Sequence, residues 1–103
     1  MIISENLRAK SLEITETELI VELDDGSLHS APIALFPILE DGTVEERAEW
    51  EFVEDRRGIH WPLLDEDISI VSIVAPDHTL PMRPEAVAAY IRANRERRGR
   101  RSA

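Results

Sequence analysis

The stretch G-I-H-W-P-L-L-D-E-D-I-S, Gly58 to Ser69, sets a histidine, a tryptophan, a proline and three successive acids within twelve residues. A hard divalent cation takes convergent carboxylate oxygens, and general acid–base catalysis takes an imidazole or carboxylate of tuned pKa. His60, Asp65, Glu66 and Asp67 would then be the working groups of a metal-dependent hydrolase. Adjacent acids do not converge by themselves, because at a helix start each successive side chain turns about 100° around the axis. The simpler reading is structural. One acid caps free amides at a helix start, its neighbours favour the positive helix end, and Trp61 with Pro62 packs under the turn. Gly58, His60, Trp61 and Pro62 are read as structural members of the block, and a partner-binding surface at Asp65, Glu66 and Asp67 stands second.

Other signs of catalysis are missing from the sequence. His29 and His78 stand alone, and no H-E-x-x-H or paired-ligand spacing joins either to His60. The serines fall in no G-x-S-x-G elbow, and the four glycines form neither a P-loop nor a dinucleotide fingerprint. With no cysteine there is no disulfide, thiol nucleophile or zinc-thiolate site. The chain is therefore read as non-enzymatic, without cofactor or metal. The first residues, M-I-I-S-E-N-L-R-A-K-S-L-E-I, lack the plan of a signal peptide, and no window approaches about 18 uninterrupted apolar residues. A cytoplasmic protein with no membrane association is expected.

At 103 residues, 43% of them apolar, the chain has room for one modest core, which favours a surface function over an enclosed active site. Charge is unevenly spread. Residues 83–103 carry seven arginines against Glu85 and Glu96, a balance of +5, so the preceding residues hold −14 of the net −9. An acidic body attracts basic partners and opposes nucleic acid. Arg95, Arg97, Arg98, Arg100 and Arg101 are the candidate phosphate contacts. They are interleaved with no aromatic beyond Tyr90, so autonomous nucleic-acid binding is disfavoured.

The elements that must position these groups are read from periodicity. S-L-E-I-T-E-T-E-L-I-V-E-L, residues 11–23, alternates like two short strands joined near Thr15–Thr17, and D-D-G-S turns the second into a hairpin. Thr43 and Glu46 form a capping box for a short helix that would face Val44 and Ala48 inward. Residues 49–55 alternate as a strand with Trp50 and Phe52 on one face, Arg56–Gly58 turn the chain, and Ile59–Trp61 pair back. Propensity makes Ile68–Ala75 a buried strand, although an acid before it would equally cap a helix. Prolines 76, 81 and 84 punctuate a linker. The last segment reads as an amphipathic helix from Pro84 ending at Gly99, with Val87, Tyr90, Ile91 and Asn94 on one stripe. The expected organisation is a compact domain over 1–75, a proline-rich linker over 76–83, and a helix with a basic tail over 84–103. The fold class is α+β: a small antiparallel sheet of four or five strands, short helices, and the appended helix.

The pattern Asp25, Gly26, Pro32, Phe36, Pro37, Leu39, Thr43, Glu45, Glu46, Arg47, Trp50 and then G-I-H-W-P-x-L-D-E-D-I-S resembles the bacterial domain-of-unknown-function family numbered 2442 over about residues 8–75. The resemblance implies a compact α+β domain with a short helix, rather than a strand, after the D-E-D-I-S block. It also implies a small protein encoded beside another small protein, in arrangements that look like toxin–antitoxin pairs. Some relatives are joined to a helix-turn-helix segment. Residues 76–103 hold one predicted helix and cannot make a complete one.

The function expected is a non-catalytic interaction module, antitoxin-like, that covers a small basic protein, such as a toxin encoded next to it. Val87, Tyr90 and Ile91 would enter an apolar groove of the partner while Asp24, Asp25, Asp65, Glu66 and Asp67 meet its basic side chains. The alternative is a DNA-associated transcriptional regulator that uses the arginine-rich segment, with specificity supplied by homo-oligomerisation.

Overall fold

Alternation of buried and half-exposed residues builds the first sheet, in which β2 (Glu18–Leu23) buries Leu19, Val21 and Leu23. The structure is a computed structural model that describes residues 7–75 and 83–102, the side chains of 100–102 excepted. β2 lies between β1 (Ala9–Ile14) and β3 (Leu28–Pro32), both antiparallel to it. At the β2–β3 turn Gly26 takes a φ of 86°, which a β-carbon would oppose. Asp25 closes that turn by accepting hydrogen bonds from the Ser27 amide at 2.9 Å and hydroxyl at 2.6 Å.

A 3-10 turn (Ile33–Leu35) and two short helices, α1 (Pro37–Asp41) and α2 (Val44–Ala48), lead to β4 (Glu51–Val53), β5 (Gly58–Trp61) and β6 (Glu66–Ser69). These last three strands form a second antiparallel sheet. The expected single sheet of four or five strands is thus two sheets of three. The intervening helices separate the halves, and the acidic block supplies a sixth strand that propensity does not signal. The sheets meet where the Ala9 amide donates to the Arg56 carbonyl at 2.8 Å and the Arg56 guanidinium donates back to the Ala9 carbonyl at 3.1 Å.

The capping box of α2 is formed in full: the Glu46 amide donates to Thr43 Oγ1 at 3.1 Å, and the Thr43 amide to Glu46 Oε1 at 2.8 Å. Val44, however, is 69% exposed and Ala48 is exposed, against the expectation that both face inward. α2 buries none of its five residues. α2 is instead fastened by Arg47, whose Nε donates to the Leu39 carbonyl at 2.6 Å and whose own carbonyl accepts from Trp61 Nε1 at 3.0 Å.

The segment from Ile68 is not one strand. It stays extended to Ser69, which pairs with Gly58, and then turns into α3 (Ile70–Val74), as the family resemblance implied. Ser69 caps α3 by accepting from the Ser72 amide at 3.3 Å, while Ile70 and Ile73 are fully buried. The last helix, α4 (Pro84–Ser102), runs past Gly99 rather than ending there. Gly99 has nothing within 4 Å of where a β-carbon would stand, so it costs only its poor propensity, about 1 kcal/mol. The expected linker lies, apart from Arg83, outside the described residues, as does His78. Among the described residues no helix is long and apolar enough to cross a membrane.

The acidic block and the helix that covers it

Strand geometry, not helix geometry, explains the three acids. Asp65 holds a φ of 51° in the turn before β6, and β6 then alternates: Glu66 and Ile68 share one face, while Asp67 takes the other. In register, Glu66 pairs with Trp61, Ile68 with Ile59, and Asp67 with His60. Glu66 therefore lies on the face that buries Trp61 and Ile59, and Asp67 faces outward beside His60, whose Nδ1 is 2.7 Å from Asp67 Oδ1. None of the three caps a helix, in contrast to the simple structural reading. Trp61 is fully buried as expected, Pro62 is exposed, and Gly58 is buried with Val53 Cγ2 at 3.3 Å from its missing β-carbon.

α4 covers two of the acids. The hydroxyl of Tyr90 donates to both oxygens of Glu66, at 2.9 and 2.8 Å, and Arg97 Nε donates to Asp65 at 2.9 Å. Burial raises the Glu66 carboxyl above its ordinary value even though the Tyr90 hydrogen bond opposes the shift. Burial, with Glu66 as acceptor, pushes the Tyr90 phenol up to about 12. One turn along, Asn94 is fully buried and donates from Nδ2 to the Leu64 carbonyl at 2.6 Å. Its Oδ1 has no hydrogen-bond partner among the described residues.

Beyond Asn94 the contacts become ionic. Arg95 forks onto Asp41, with Nε to Oδ2 at 3.0 Å and Nη2 to Oδ1. Arg98 reaches Asp41 at 3.4 Å and Glu46 Oε2 at 3.2 Å, so Glu46 serves both the α2 cap and α4. The Arg95 hydrogen bond holds the Asp41 carboxyl below its ordinary value. Val87, Tyr90 and Ile91 are half-buried on this stripe, and Tyr90 and Ile91 pack against the core cluster.

The expected partner-facing residues are thus mostly engaged within the chain. Tyr90, Ile91, Asp65 and Glu66 belong to the α4 seam, and Asp24 is forked by Arg56 at 2.7 and 3.1 Å, which lowers its pKa. Asp25 closes its own turn, and the Ser27 bonds lower it too. Of the candidate phosphate contacts, Arg95, Arg97 and Arg98 face carboxylates, and the side chains of Arg100 and Arg101 lie outside those described. His29 Nε2 is 2.9 Å from Ser27 Oγ. Among the described residues no group of three or more histidines or carboxylates could hold a metal ion. Sequence reasoning missed Asp41 and the seam role of Glu46. Asn94 was the one local signal, a polar residue set in an apolar stripe.

No curated protein matches the chain in sequence. A crystal structure of a protein of unknown function from Rhodospirillum rubrum ATCC 11170 superposes with a TM-score of 0.60 at 23% identity, covering 74% of this chain and 99% of that one, a likeness of fold. A family model described as protein of unknown function (DUF2442) matches residues 9–79, from β1 through α3 and the whole acidic block, and the chain belongs to that family.

Proposed function

We propose that this chain is a non-catalytic protein-interaction module of the bacterial cytoplasm, the antitoxin-like member of a small two-protein pair, which acts by covering a basic partner protein. One observation carries the reading: the acidic body already receives a basic helix, through Asp41, Glu46, Asp65 and Glu66, by the charge-assisted contacts that such a module would use. The absence of catalysis is supported by the dispersal of the acidic block. His60 and Asp67 bond each other on one sheet face while Asp65 and Glu66 turn to α4, so the four groups do not converge on a reacting atom. The regulator alternative loses support because Arg95, Arg97 and Arg98 are directed at carboxylates.

The test is recovery of the tagged chain from its native host with and without nuclease. One small basic protein at near-equal stoichiometry, retained after nuclease, is the expected result. Recovery of nucleic acid, with every partner lost on nuclease treatment, would replace this reading by the regulator.

A further inference from the structure

Among the described residues, the hydrogen-bonding and ionic groups under α4 come from the family body. The family match ends at residue 79 and α4 begins at Pro84, so the groups described above as receiving the helix (Asp41, Glu46, the Leu64 carbonyl, Asp65, Glu66) lie within the matched segment. To these groups α4 brings the donors of Tyr90, Asn94, Arg95, Arg97 and Arg98 and a short apolar strip.

The seam has the composition of a transient interface rather than of a core. A helix that belongs to a core buries a continuous apolar stripe, but the one fully buried described side chain of α4 is Asn94. Its Oδ1 has no partner among the described residues, a penalty that release of the helix into water would relieve. Two of the arginines sit toward the rim, where the side chains of Arg95 and Arg97 are 63% and 45% exposed and salt screens them, while Arg98, 20% exposed, lies further in. Tyr90, Ile91, Asn94, Arg95 and Arg98 follow one another at helical spacing, so the surface reads a pattern: aromatic and aliphatic anchors, then arginines one and two turns on.

From this we infer that α4 is an internal occupant of a docking surface for basic helices that carry a short apolar strip, and that a helix of the same pattern on the partner protein binds by displacing it. This rests on the interaction-module reading and adds both the partner's chemistry and its regulation. Tethering through a segment of this length holds α4 at an effective concentration on the order of millimolar, so an incoming helix competes against a large local excess. Binding in trans is weakened by the fraction of time the surface is covered.

The test uses a labelled peptide with the sequence of residues 83–102, added to the full chain and to a full-length variant carrying Asn94→Asp, Arg95→Glu and Arg98→Glu. Those changes set like charges against Asp41 and Glu46 and a charge in the buried site. Release of α4 is checked beforehand by the titration of Tyr90, which falls from about 12 toward 10.0 when the phenol leaves Glu66. If the triple variant does not fold, the pair Arg95→Ser with Arg98→Ser takes its place. The expected result is at least about tenfold tighter peptide binding to the variant than to the wild type. Adding Asp41→Asn to the variant should then weaken the peptide several-fold, because the incoming helix uses the same carboxylate. Equal affinity for wild type and variant would overturn internal occupancy while leaving the module reading intact. No binding to the released variant would overturn the docking surface itself, and co-purification would still decide the module reading separately.

Discussion

Glu66 and Tyr90 form the contact whose energetics are most open to measurement, because Tyr90 is the only tyrosine in the chain. Tyrosinate absorbance therefore reports one group, and its midpoint is expected near 12. The folded phenol is held above the ordinary 10.0, so its stabilising contribution is present below that pH and is lost as pH rises through about 12. Glu66→Gln removes the acceptor charge but not the burial, and should move the midpoint part of the way down. A midpoint that does not move would assign the whole shift to burial. Glu66 has the same sign at the acid end, since its folded carboxyl is raised above 4.5. Its contribution is greatest below that value and fades as pH rises through the folded pKa. Asp41 has the opposite sign, being lowered from 3.8 by Arg95, so its contribution holds above 3.8 and is lost as pH falls. Urea titrations across pH should therefore show Glu66→Gln flattening the profile above 4.5, and Asp41→Asn flattening it below 3.8.

Among the elements, the hairpin of β2 and β3, the capped α2 and the inward stripe of α4 were legible because each rests on a local rule: alternation with a D-G turn, Thr43 with Glu46, and three- and four-residue spacing. Propensity erred where tertiary pairing decided. The acidic block continues the extended chain because Ile68 completes a pair with Ile59, so helix start and cap move to Ser69. Val44 is apolar and on a helix, yet α2 is held by the guanidinium of Arg47, and no single-residue property announces that. The β4–β5 turn is the least legible element. Glu54, Asp55 and Arg56 hold φ values of 52°, 57° and 64°, three successive left-handed residues without a glycine among them. Asp55 and Arg56 explain their presence by pairing with Arg8 and Asp24. Glu54 has no side-chain partner among the described residues, so its conformational cost has no visible compensation. Glu54→Gly is expected to raise unfolding free energy by about 0.5–1 kcal/mol, the left-handed penalty less the entropy that glycine adds to the unfolded chain. Thermal or urea unfolding of this one variant checks it; a destabilised variant would mean that the side chain has a role the turn conceals.

Across the whole molecule, charge is sorted by function. Basic α4 neutralises the acids it covers, and the carboxylates without a side-chain partner among the described residues, such as Glu13, Glu16, Glu45, Glu49 and Glu51, lie on β1, α2 and β4 and the turns beside them. They do not hold the fold together, and their mutual repulsion slightly opposes it, so their expected consequence is long-range attraction of basic partners. Glu16→Lys with Glu49→Lys tests this without touching the α4 seam, since both positions are exposed and the pair moves the net charge from −9 to −5. Unfolding free energy should change by less than about 0.5 kcal/mol, as for surface positions generally. Binding of the basic 83–102 peptide to the chain with α4 released should slow several-fold in association at low salt, with dissociation unchanged. The difference should vanish as ionic strength rises and the Debye length shrinks. A change confined to dissociation would place Glu16 or Glu49 inside the contact, and the docking surface would then extend from the α4 seam toward the β1–β2 turn, where Ile14, Val44 and Ala48 line an apolar groove.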